Sequence, residues 1–507
     1  MKQLHKFLAL AAFIYFFWMG LSGIALNHPQ QLREFSLPNR IMPDNYQYHD
    51  WNRMSWRDAA FSRRNDKLLY VAGKEGVWKS FDQGHTFTSL SDNFPTSAYD
   101  KDTFSILPAD HDHRETLFAG TRSGLFYLQQ EKWHRVTHPL LKKEPVIELI
   151  QVEQQILAFT RSAAFKADIT EIPPLFTPLP LPRKVDQTPR IPLFRWLRKV
   201  HDGSIFGFKG RLLVDLIGFL LLFLVLSGGL TWYVIKGKKR QRKPIFAGKI
   251  FALNYRWHLK LGIIGALFIA VTALSGAFSH PPLLLTIIRL STPSSLLPQK
   301  HSVNPWDEQI QKAAYLKSRK RLIIATKQGL FSGPLDGSRN FIKLPDTMPI
   351  HGMGVQVFES LDDNRLLVGS FSGLFLWDTA QQIVMQLKAK PRGNAPDWGR
   401  PIMVSGAAVY NGEPLLAIDY ESGIKPLRRR EQLIPTMPNA IKEQSRISLW
   451  HALFELHNGR IFEQYIGPFY WLITPVGGIL LCIILASGCL LWLRRRYLRG
   501  KTAKIIR

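Results

Sequence analysis

The stretch from Leu261 to Phe278 reads LGIIGALFIAVTALSGAF and ends on the small-residue signature Leu274-Ser275-Gly276. The same signature closes three other apolar runs, at Leu21-Ser22-Gly23, Leu226-Ser227-Gly228 and Ala486-Ser487-Gly488. The four runs cover roughly Phe7 to Leu26, Leu212 to Ile235, Leu261 to Phe278 and Tyr470 to Leu493. Each approaches the ~20 residues that cross the hydrocarbon core of a bilayer. The sequence therefore predicts a membrane protein with four transmembrane helices.

Basic residues beside these runs predict their orientation. They cluster after the second run and after the fourth, at Lys236, Lys238, Lys239, Arg240, Arg242, Lys243, Arg494, Arg495, Arg496, Arg499, Lys501, Lys504 and Arg507. Because Lys and Arg in short flanks stay in the cytoplasm, both termini and the middle loop are predicted to be cytoplasmic. The long segments then lie in the periplasm of a bacterial inner membrane. The alternative for the first run is a signal peptide, since Lys2, His5 and Lys6 precede it, but its length favours an uncleaved anchor.

This topology divides the chain into alternating membrane and water-soluble parts. The predicted parts are transmembrane helices at 1–28, 210–236, 258–280 and 470–493, periplasmic β domains at 29–209 and 281–469, a cytoplasmic basic loop at 237–257 and a cytoplasmic basic tail at 494–507.

Charge and cysteine usage narrow the classes of protein. The 507 residues include 66 Lys and Arg against 38 Asp and Glu, a formal net charge of +28. Much of this excess lies in the cytoplasmic flanks, where it sets topology and contacts anionic lipids of the bilayer. Nucleic acid is therefore not a predicted partner. The only two cysteines, Cys482 and Cys489, lie in the fourth apolar run, so a disulfide cannot hold either outer segment.

The two halves of the chain repeat each other. His5 precedes Ser22 by 17 residues and His258 precedes Ser275 by 17, and His28-Pro29 and His280-Pro281 follow the two runs. The halves also close alike, with His201-Asp202-Gly203-Ser204-Ile205-Phe206 and His457-Asn458-Gly459-Arg460-Ile461-Phe462 before the second and fourth runs. Because each half has an even number of spans, the repeats are predicted to be parallel.

A second repeat runs through the outer segments. Six times a short aliphatic or β-branched run is followed by a turn and another apolar pair, as in Leu68 to Gly73 with Gly76 to Trp78. The other copies begin at Thr116, Ile156, Leu322, Leu366 and Leu415. A spacing of roughly 40 to 50 residues is typical of four-stranded propeller blades. Since three blades alone leave open edges, we expect one six-bladed propeller shared between the two segments. The alternative is two small β-sandwiches.

The histidines are the candidate chemical groups. Neutral imidazole is the usual axial ligand of b-type haem, and facing helices of a bundle commonly hold cofactors. His5 and His258 occupy equivalent positions and are predicted to ligate one haem iron. A second haem is predicted at His28 and His280, or at a mixture of these with His201 and His457. The alternative is that these histidines only bond to headgroups and loops at the interface. Asp215 is a further ionisable group, for which pairing with Arg211 at i, i+4 is the favoured interpretation.

Taken together, several motifs resemble the PepSY-associated transmembrane family. They are Arg256-Trp257-His258, the four Ser-Gly pairs, His201-Asp202-Gly203, Gly210-Arg211 with Asp215, and Leu491-Trp492-Leu493-Arg494. The resemblance covers the helices and their flanks, whereas the outer segments depart from PepSY domains and Thr474 stands roughly where the first half has Asp215. Members of this family include inner-membrane reductases that resemble haem proteins delivering electrons to ferric siderophores.

Two functions follow as hypotheses. The first is a haem-binding membrane oxidoreductase that takes electrons from quinone or a cytoplasmic donor and reduces a periplasmic ferric complex. The second is a membrane-anchored propeller without enzymatic activity that binds an envelope protein or ligand. The duplicated histidines favour the first.

Overall fold

The computed structural model describes residues 2–112, 114–141, 144–184, 190–239, 248–296, 304–388, 402–427 and 435–505. Residues 240–247 of the predicted basic loop and the end of the basic tail lie outside these ranges. The chain separates into a helical unit, comprising Met1–Leu32, Asp186–His301 and Leu449–Arg507, and a β unit, comprising Arg33–Val185 and Ser302–Ser448. These bounds differ from the division predicted from sequence, because short helices that flank the apolar runs belong to the helical unit.

Eleven α-helices lie in the described part of the chain. They are α1 (Lys2–Ala11), α2 (Phe13–Leu26), α3 (Pro29–Leu32), α4 (Leu193–His201), α5 (Gly207–Lys239), α6 (Lys249–Ala277), α7 (Leu283–Ile287), α8 (Asn439–Gln444), α9 (Leu449–His457), α10 (Glu463–Ile466) and α11 (Ile473–Ile505).

Within the described residues, three helical stretches are long and apolar enough to cross a membrane: Ser204–Gly237, Lys249–Ala277 and Arg460–Tyr497. The first apolar run is divided instead into α1 and α2, which meet at an angle of 61° and together make a fourth candidate span. The chain is therefore a membrane protein with several transmembrane helices. Phe16 on α2, Ile269 on α6 and Leu481 on α11 pack together as part of the core of this unit.

Twenty-seven strands complete the described secondary structure. Those of the first half are β1 (Ser36–Pro38), β2 (Asp58–Phe61), β3 (Leu69–Gly73), β4 (Gly76–Ser80), β5 (Thr88–Ser89), β6 (Thr103–His111), β7 (Arg114–Thr121), β8 (Gly124–Gln129), β9 (Lys132–Arg135), β10 (Val146–Val152), β11 (Gln155–Thr160), β12 (Ala164–Asp168), β13 (Thr177–Leu179) and β14 (Arg190–Pro192). Those of the second half are β15 (Ser291–Pro293), β16 (Ile310–Leu316), β17 (Arg321–Thr326), β18 (Gly329–Pro334), β19 (Ile342–Lys343), β20 (Val355–Ser360), β21 (Arg365–Ser370), β22 (Gly373–Asp378), β23 (Ile383–Leu387), β24 (Val404–Tyr410), β25 (Glu413–Asp419), β26 (Gly423–Pro426) and β27 (Arg446–Ser448).

The β unit consists mainly of antiparallel meanders that resemble propeller blades. Five described sheets have four strands, β2–β5, β6–β9, β10–β13, β16–β19 and β20–β23, and another has the three strands β24–β26. The six apolar pairs of the sequence repeat are the second and third strands of these sheets. The first strands contact one another in chain order, and β24 contacts β2.

Each neighbouring pair of these sheets shares a hydrophobic cluster. Phe118 and Phe165 pack between the second and third sheets, and Leu157 and Leu322 pack between the third and fourth. Val71 on β3 and Ile418 on β25 belong to the cluster between the first and last sheets. Apolar burial therefore continues around the unit and joins its beginning to its end.

Two short ribbons link the halves of the chain. β1 pairs with β27 in the β unit, and β14 pairs with β15 in the helical unit. The same bonds recur in both: Arg446 donates from Nε to Ser36 Oγ at 2.8 Å, and Arg190 donates from Nε to Ser291 Oγ at 2.8 Å. The repeat inferred from sequence thus extends to individual contacts, and each contact runs from one half to the other.

Candidate functional site

Four histidines of the helical unit lie against the four Ser-Gly pairs. Each histidine comes from one half of the chain and contacts a helix of the other half. His5 is on α1 and His258 is on α6, while His201 and His457 are the last residues of α4 and α9. The Ser-Gly pairs are therefore seats for imidazole rings.

In two of the seats the serine hydroxyl contacts the ring nitrogen Nδ1. His457 Nδ1 lies 2.8 Å from Ser22 Oγ, and His258 Nδ1 lies 2.7 Å from Ser227 Oγ. Each hydroxyl donates its own hydrogen back to its helix, Ser22 to Trp18 O at 2.8 Å and Ser227 to Leu224 O at 3.2 Å. Since a serine has one hydrogen, its oxygen accepts from the imidazole Nδ1–H.

In the other two seats a backbone carbonyl contacts the ring, together with a serine hydroxyl only for His5. His5 Nδ1 lies 3.0 Å from Ile484 O and 2.9 Å from Ser487 Oγ. His201 Nδ1 lies 2.9 Å from Thr272 O, which also accepts from Ser275 Oγ at 3.0 Å. A carbonyl oxygen can only accept, so the hydrogen again resides on Nδ1.

All four imidazoles therefore have the same tautomer, with the lone pair on Nε2. Metal-bound histidines commonly donate their second N–H to a carbonyl or other acceptor, which fixes the ring and raises its basicity as a ligand. The donor set fits the neutral-imidazole ligands of b-type haem.

The glycine of each pair makes room for the ring. A Cβ placed on Gly276 would lie 2.7 Å from His201 Cε1, and one on Gly488 would lie 3.2 Å from His5 Cε1. The corresponding distances are 3.4 Å between Gly228 and His258 and 3.6 Å between Gly23 and His457. The small residues thus allow side chain to approach backbone, which is a common use of such residues in membrane helices.

His201 and His457 face one another. Their ring centroids are 6.2 Å apart, with an interplanar angle of 50°. An ion bound at roughly 2 Å from each of two imidazole nitrogens on opposite sides would place the ring centroids about 6 Å apart. The spacing would allow His201 and His457 to hold one metal ion between them.

A cavity of about 370 Å³ adjoins this pair. His280 lines this cavity. Four helices also contribute glycines to the lining, which are Gly20, Gly23, Gly218, Gly276, Gly477 and Gly478. Arg198 and Arg211 also line the cavity. Sites for organic cofactors are typically of this size and are mostly apolar, with a few polar groups that fix orientation.

The second pair is at the other end of the helices. His5 is on α1 and His258 is near the start of α6, within electrostatic range of His5. Along α6, the 18 residues from His258 to Gly276 correspond to about 27 Å at ~1.5 Å per residue. The four seats therefore form two levels, His5 with His258 and His201 with His457.

His28 and His280 have different surroundings despite their equivalent sequence positions. His28 Nε2 lies 2.9 Å from Asp215 Oδ2, and Asn27 donates to Asp215 Oδ1 at 2.8 Å. Thr474 occupies the comparable place in the second half and offers no carboxylate, and His280 lines the cavity. The observed partners of Asp215, Asn27 and His28, are the two residues that follow α2, whereas the sequence interpretation favoured Arg211.

The sequence indicated all four of these histidines and all four Ser-Gly pairs, but it did not indicate which histidine contacts which Ser-Gly pair. The equal spacing of histidine and serine within each half predicted that the two halves are equivalent. In the structure, each of these histidines contacts a Ser-Gly helix of the opposite half. Arg198 and Arg211 were not recognised as cavity residues. The available signal was that Arg198 precedes His201 by three residues and that Arg211 lies near the start of α5, the helix that carries Ser227-Gly228.

The model of the PepSY-associated TM region matches residues 2–495 of this chain. No curated protein matches this chain. Solved structures similar to it include the extracellular domain of a hybrid two component system from B. thetaiotaomicron, with 11% identity, a TM-score of 0.36 and coverage of 74% of this chain and 32% of that chain. Another is YCF48 from Cyanidioschyzon merolae, with 8% identity, a TM-score of 0.33 and coverage of 76% of this chain and 98% of that chain. A third is the β-propeller domain of Myceliophteria thermophila Cps50 (Swd1), with 11% identity, a TM-score of 0.33 and coverage of 73% of this chain and 84% of that chain. The chain thus spans about a third of the length of the first of these.

Proposed function

Since this chain belongs to the PepSY-associated TM region family, we propose that its helical unit binds haem b and carries electrons across a bacterial inner membrane. The observation that carries the proposal is the facing pair of His201 and His457, with centroids 6.2 Å apart and Nε2 lone pairs free of the Ser-Gly seats. His5 and His258 are the proposed ligands of a second haem. Bound haem supplies one-electron redox chemistry.

The residues around the first pair have complementary roles. Serine hydroxyls and the Thr272 carbonyl orient the rings, and the glycines leave space for a flat macrocycle. Arg198 and Arg211 would bind its carboxylates, because guanidinium pairs with carboxylate through charge-assisted hydrogen bonds. His28 is held by Asp215, so we assign no ligand role to it, and His280 is a further imidazole lining the same cavity.

The membrane arrangement is part of the proposal. We place four transmembrane spans in the membrane, counting α1 and α2 as one, with both termini in the cytoplasm because of the flanking Lys and Arg residues. The two long segments then lie in the periplasm and form a single six-bladed propeller. Its continuous ring of hydrophobic clusters supports this arrangement, since closure removes exposed sheet edges.

The proposed reaction passes electrons from quinone or a cytoplasmic donor to a ferric complex on the periplasmic side. Two histidine levels about 27 Å apart along α6 suit transfer between the two faces of a bilayer whose hydrocarbon core is ~30 Å thick.

Absorption spectra of the purified full-length protein test the proposal. We expect sharp reduced b-type bands after dithionite, lower haem content in His457→Ala and His258→Ala, and unchanged haem in His134→Ala, whose imidazole is exposed in the β unit. Reoxidation of the reduced protein by ferric citrate would support ferric reduction. A featureless spectrum from haem-replete cells would reject the haem proposal and favour a membrane-anchored propeller that binds an envelope ligand.

A further inference from the structure

A second cluster of charged residues lies in the β unit, on the first strands of its sheets. Asp58, Ser105, Glu148 and Lys312 have equivalent registers, opposite Ala72, Gly120, Phe159 and Ala325 of the next strand. In β6, β10 and β16 a bulge immediately precedes this position. Bulges re-aim side chains, so the repeat directs polar groups from four successive sheets to one place.

An ion pair connects the first chain segment to the second within this cluster. Lys312 Nζ lies 3.1 Å from Glu148 Oε2, and their side chains are 11% and 5% exposed. Ser105 Oγ donates to Glu148 Oε1 at 3.0 Å, and Lys312 Nζ donates to Phe104 O at 3.4 Å. Such a buried pair is sensitive to any change in neighbouring charge, because little solvent screens it.

Glu359 on β20 is the next charged group. It borders a cavity of about 520 Å³ together with Asp58, Ser105 and Glu148, while β24 contributes Ala407 and Val409. The charged groups acting on Glu359 are Asp58 and Glu148, which repel its carboxylate, and Lys312, which attracts it. Arg63, Arg64 and Asp66, from the turn between β2 and β3, line the same cavity. The groups that act on Glu359 itself are two carboxyls and one ammonium.

We propose that Glu148, Lys312 and Glu359 form a set of ionic contacts, here called the clasp, that connects the two segments of the β unit and depends on the protonation of Glu359. With Glu359 protonated, Lys312 pairs with Glu148 across the join between the third and fourth sheets. When Glu359 loses its proton, its carboxylate competes for Lys312 and repels Glu148 and Asp58. The join is then weakened. This inference does not depend on haem binding.

The electrostatics support this direction. Burial, followed by repulsion from Asp58 and Glu148, raises the pKa of Glu359 to about 8. Burial also raises the pKa of Glu148, and its carboxylate and that of Asp58 raise the pKa of Lys312 against the effect of burial. Because the folded pKa of Glu359 exceeds its ordinary value of 4.5, its contribution to stability is present below pH 4.5 and is lost as pH rises toward 8.

Hydrogen exchange of the full-length protein tests the clasp. Protection of peptides from β10 and β16 would be compared at about pH 6 and about pH 9, corrected for the intrinsic pH dependence of exchange, so that the range includes the Glu359 transition. We expect wild type to lose about tenfold in protection, which corresponds to ~1.4 kcal/mol. Glu359→Gln, which mimics the protonated state, should lose less than about twofold. The control Glu153→Gln, at an exposed turn after β10, should behave as wild type.

Infrared spectroscopy of the wild type provides a second measurement that requires no variant to fold. A protonated carboxyl band should be present at neutral pH and disappear with a midpoint near the Glu359 pKa of about 8. Equal loss of protection in wild type and Glu359→Gln would overturn the clasp. So would constant protection in the wild type, or an infrared spectrum without a carboxyl transition in this range.

Discussion

Replacing Gly276 by alanine should displace His201 from its seat. The added Cβ would lie 2.7 Å from His201 Cε1, whereas ordinary contact begins at 3.4 Å, so the ring must retreat by about 0.7 Å. A retreat of this size stretches the 2.9 Å bond from Nδ1 to Thr272 O beyond the usual limit of ~3.2 Å. Losing that bond costs about 1 kcal/mol directly. Loss of an outer-shell partner typically lowers metal affinity roughly 10- to 100-fold.

The matched control is Gly23→Ala, in the equivalent seat of the other half. Its Cβ would lie 3.6 Å from His457 Cε1, which is ordinary contact, so His457 should stay in place. Haem content and the reduced spectrum of the two variants, purified in parallel, would measure the difference. We expect Gly276→Ala to lose haem by at least about tenfold in affinity while Gly23→Ala remains near wild type. Equal haem binding by both variants would refute the seat geometry.

Two further substitutions test the packing of each unit. Asp102→Asn should destabilise the β unit by about 3 to 5 kcal/mol, because Asp102 is buried between Arg57 and Arg122. The arginines hold the pKa of Asp102 well below its ordinary value of 3.8. The stabilisation is therefore present above pH 3.8 and is lost at lower pH. The difference in free energy of unfolding between variant and wild type, measured with denaturant, should shrink on acidification. Gly477→Ala should lower the thermal midpoint of the helical unit, because its Cβ would lie 2.2 Å from Tyr15 Oη, and a midpoint equal to that of wild type would contradict the close contact.

The sequence predicted the features that depend on local pattern. Each of the six apolar pairs lies in the second and third strands of a sheet, since buried strands give continuous apolar runs. The first strands escaped notice because they present polar residues such as Asp58, Glu148 and Lys312 within the unit. The family resemblance, which rested on the helices and their flanks, is confirmed over residues 2–495.

Features that depend on tertiary contact were less accessible. The bend between α1 and α2 falls at Ala12, within residues 2–19, which contain neither proline nor glycine, so composition indicated one helix. The bond between His28 and Asp215 joins residues 187 apart in sequence. Local i, i+4 reasoning favoured Arg211 for that aspartate because it considers only one helix. The pairing of histidines with Ser-Gly seats likewise requires knowing which helices are neighbours.

The exchange of seats between the halves sets an order for biosynthesis. His5 is synthesised before its seat at Ser487, which lies 482 positions later in the chain. Helix α11, which carries Ser487, must therefore be made before His5 acquires its partner. A chain that stops before α11 leaves His5 without its seat, so synthesis of α11 acts as a checkpoint for assembly of the level that His5 forms with His258.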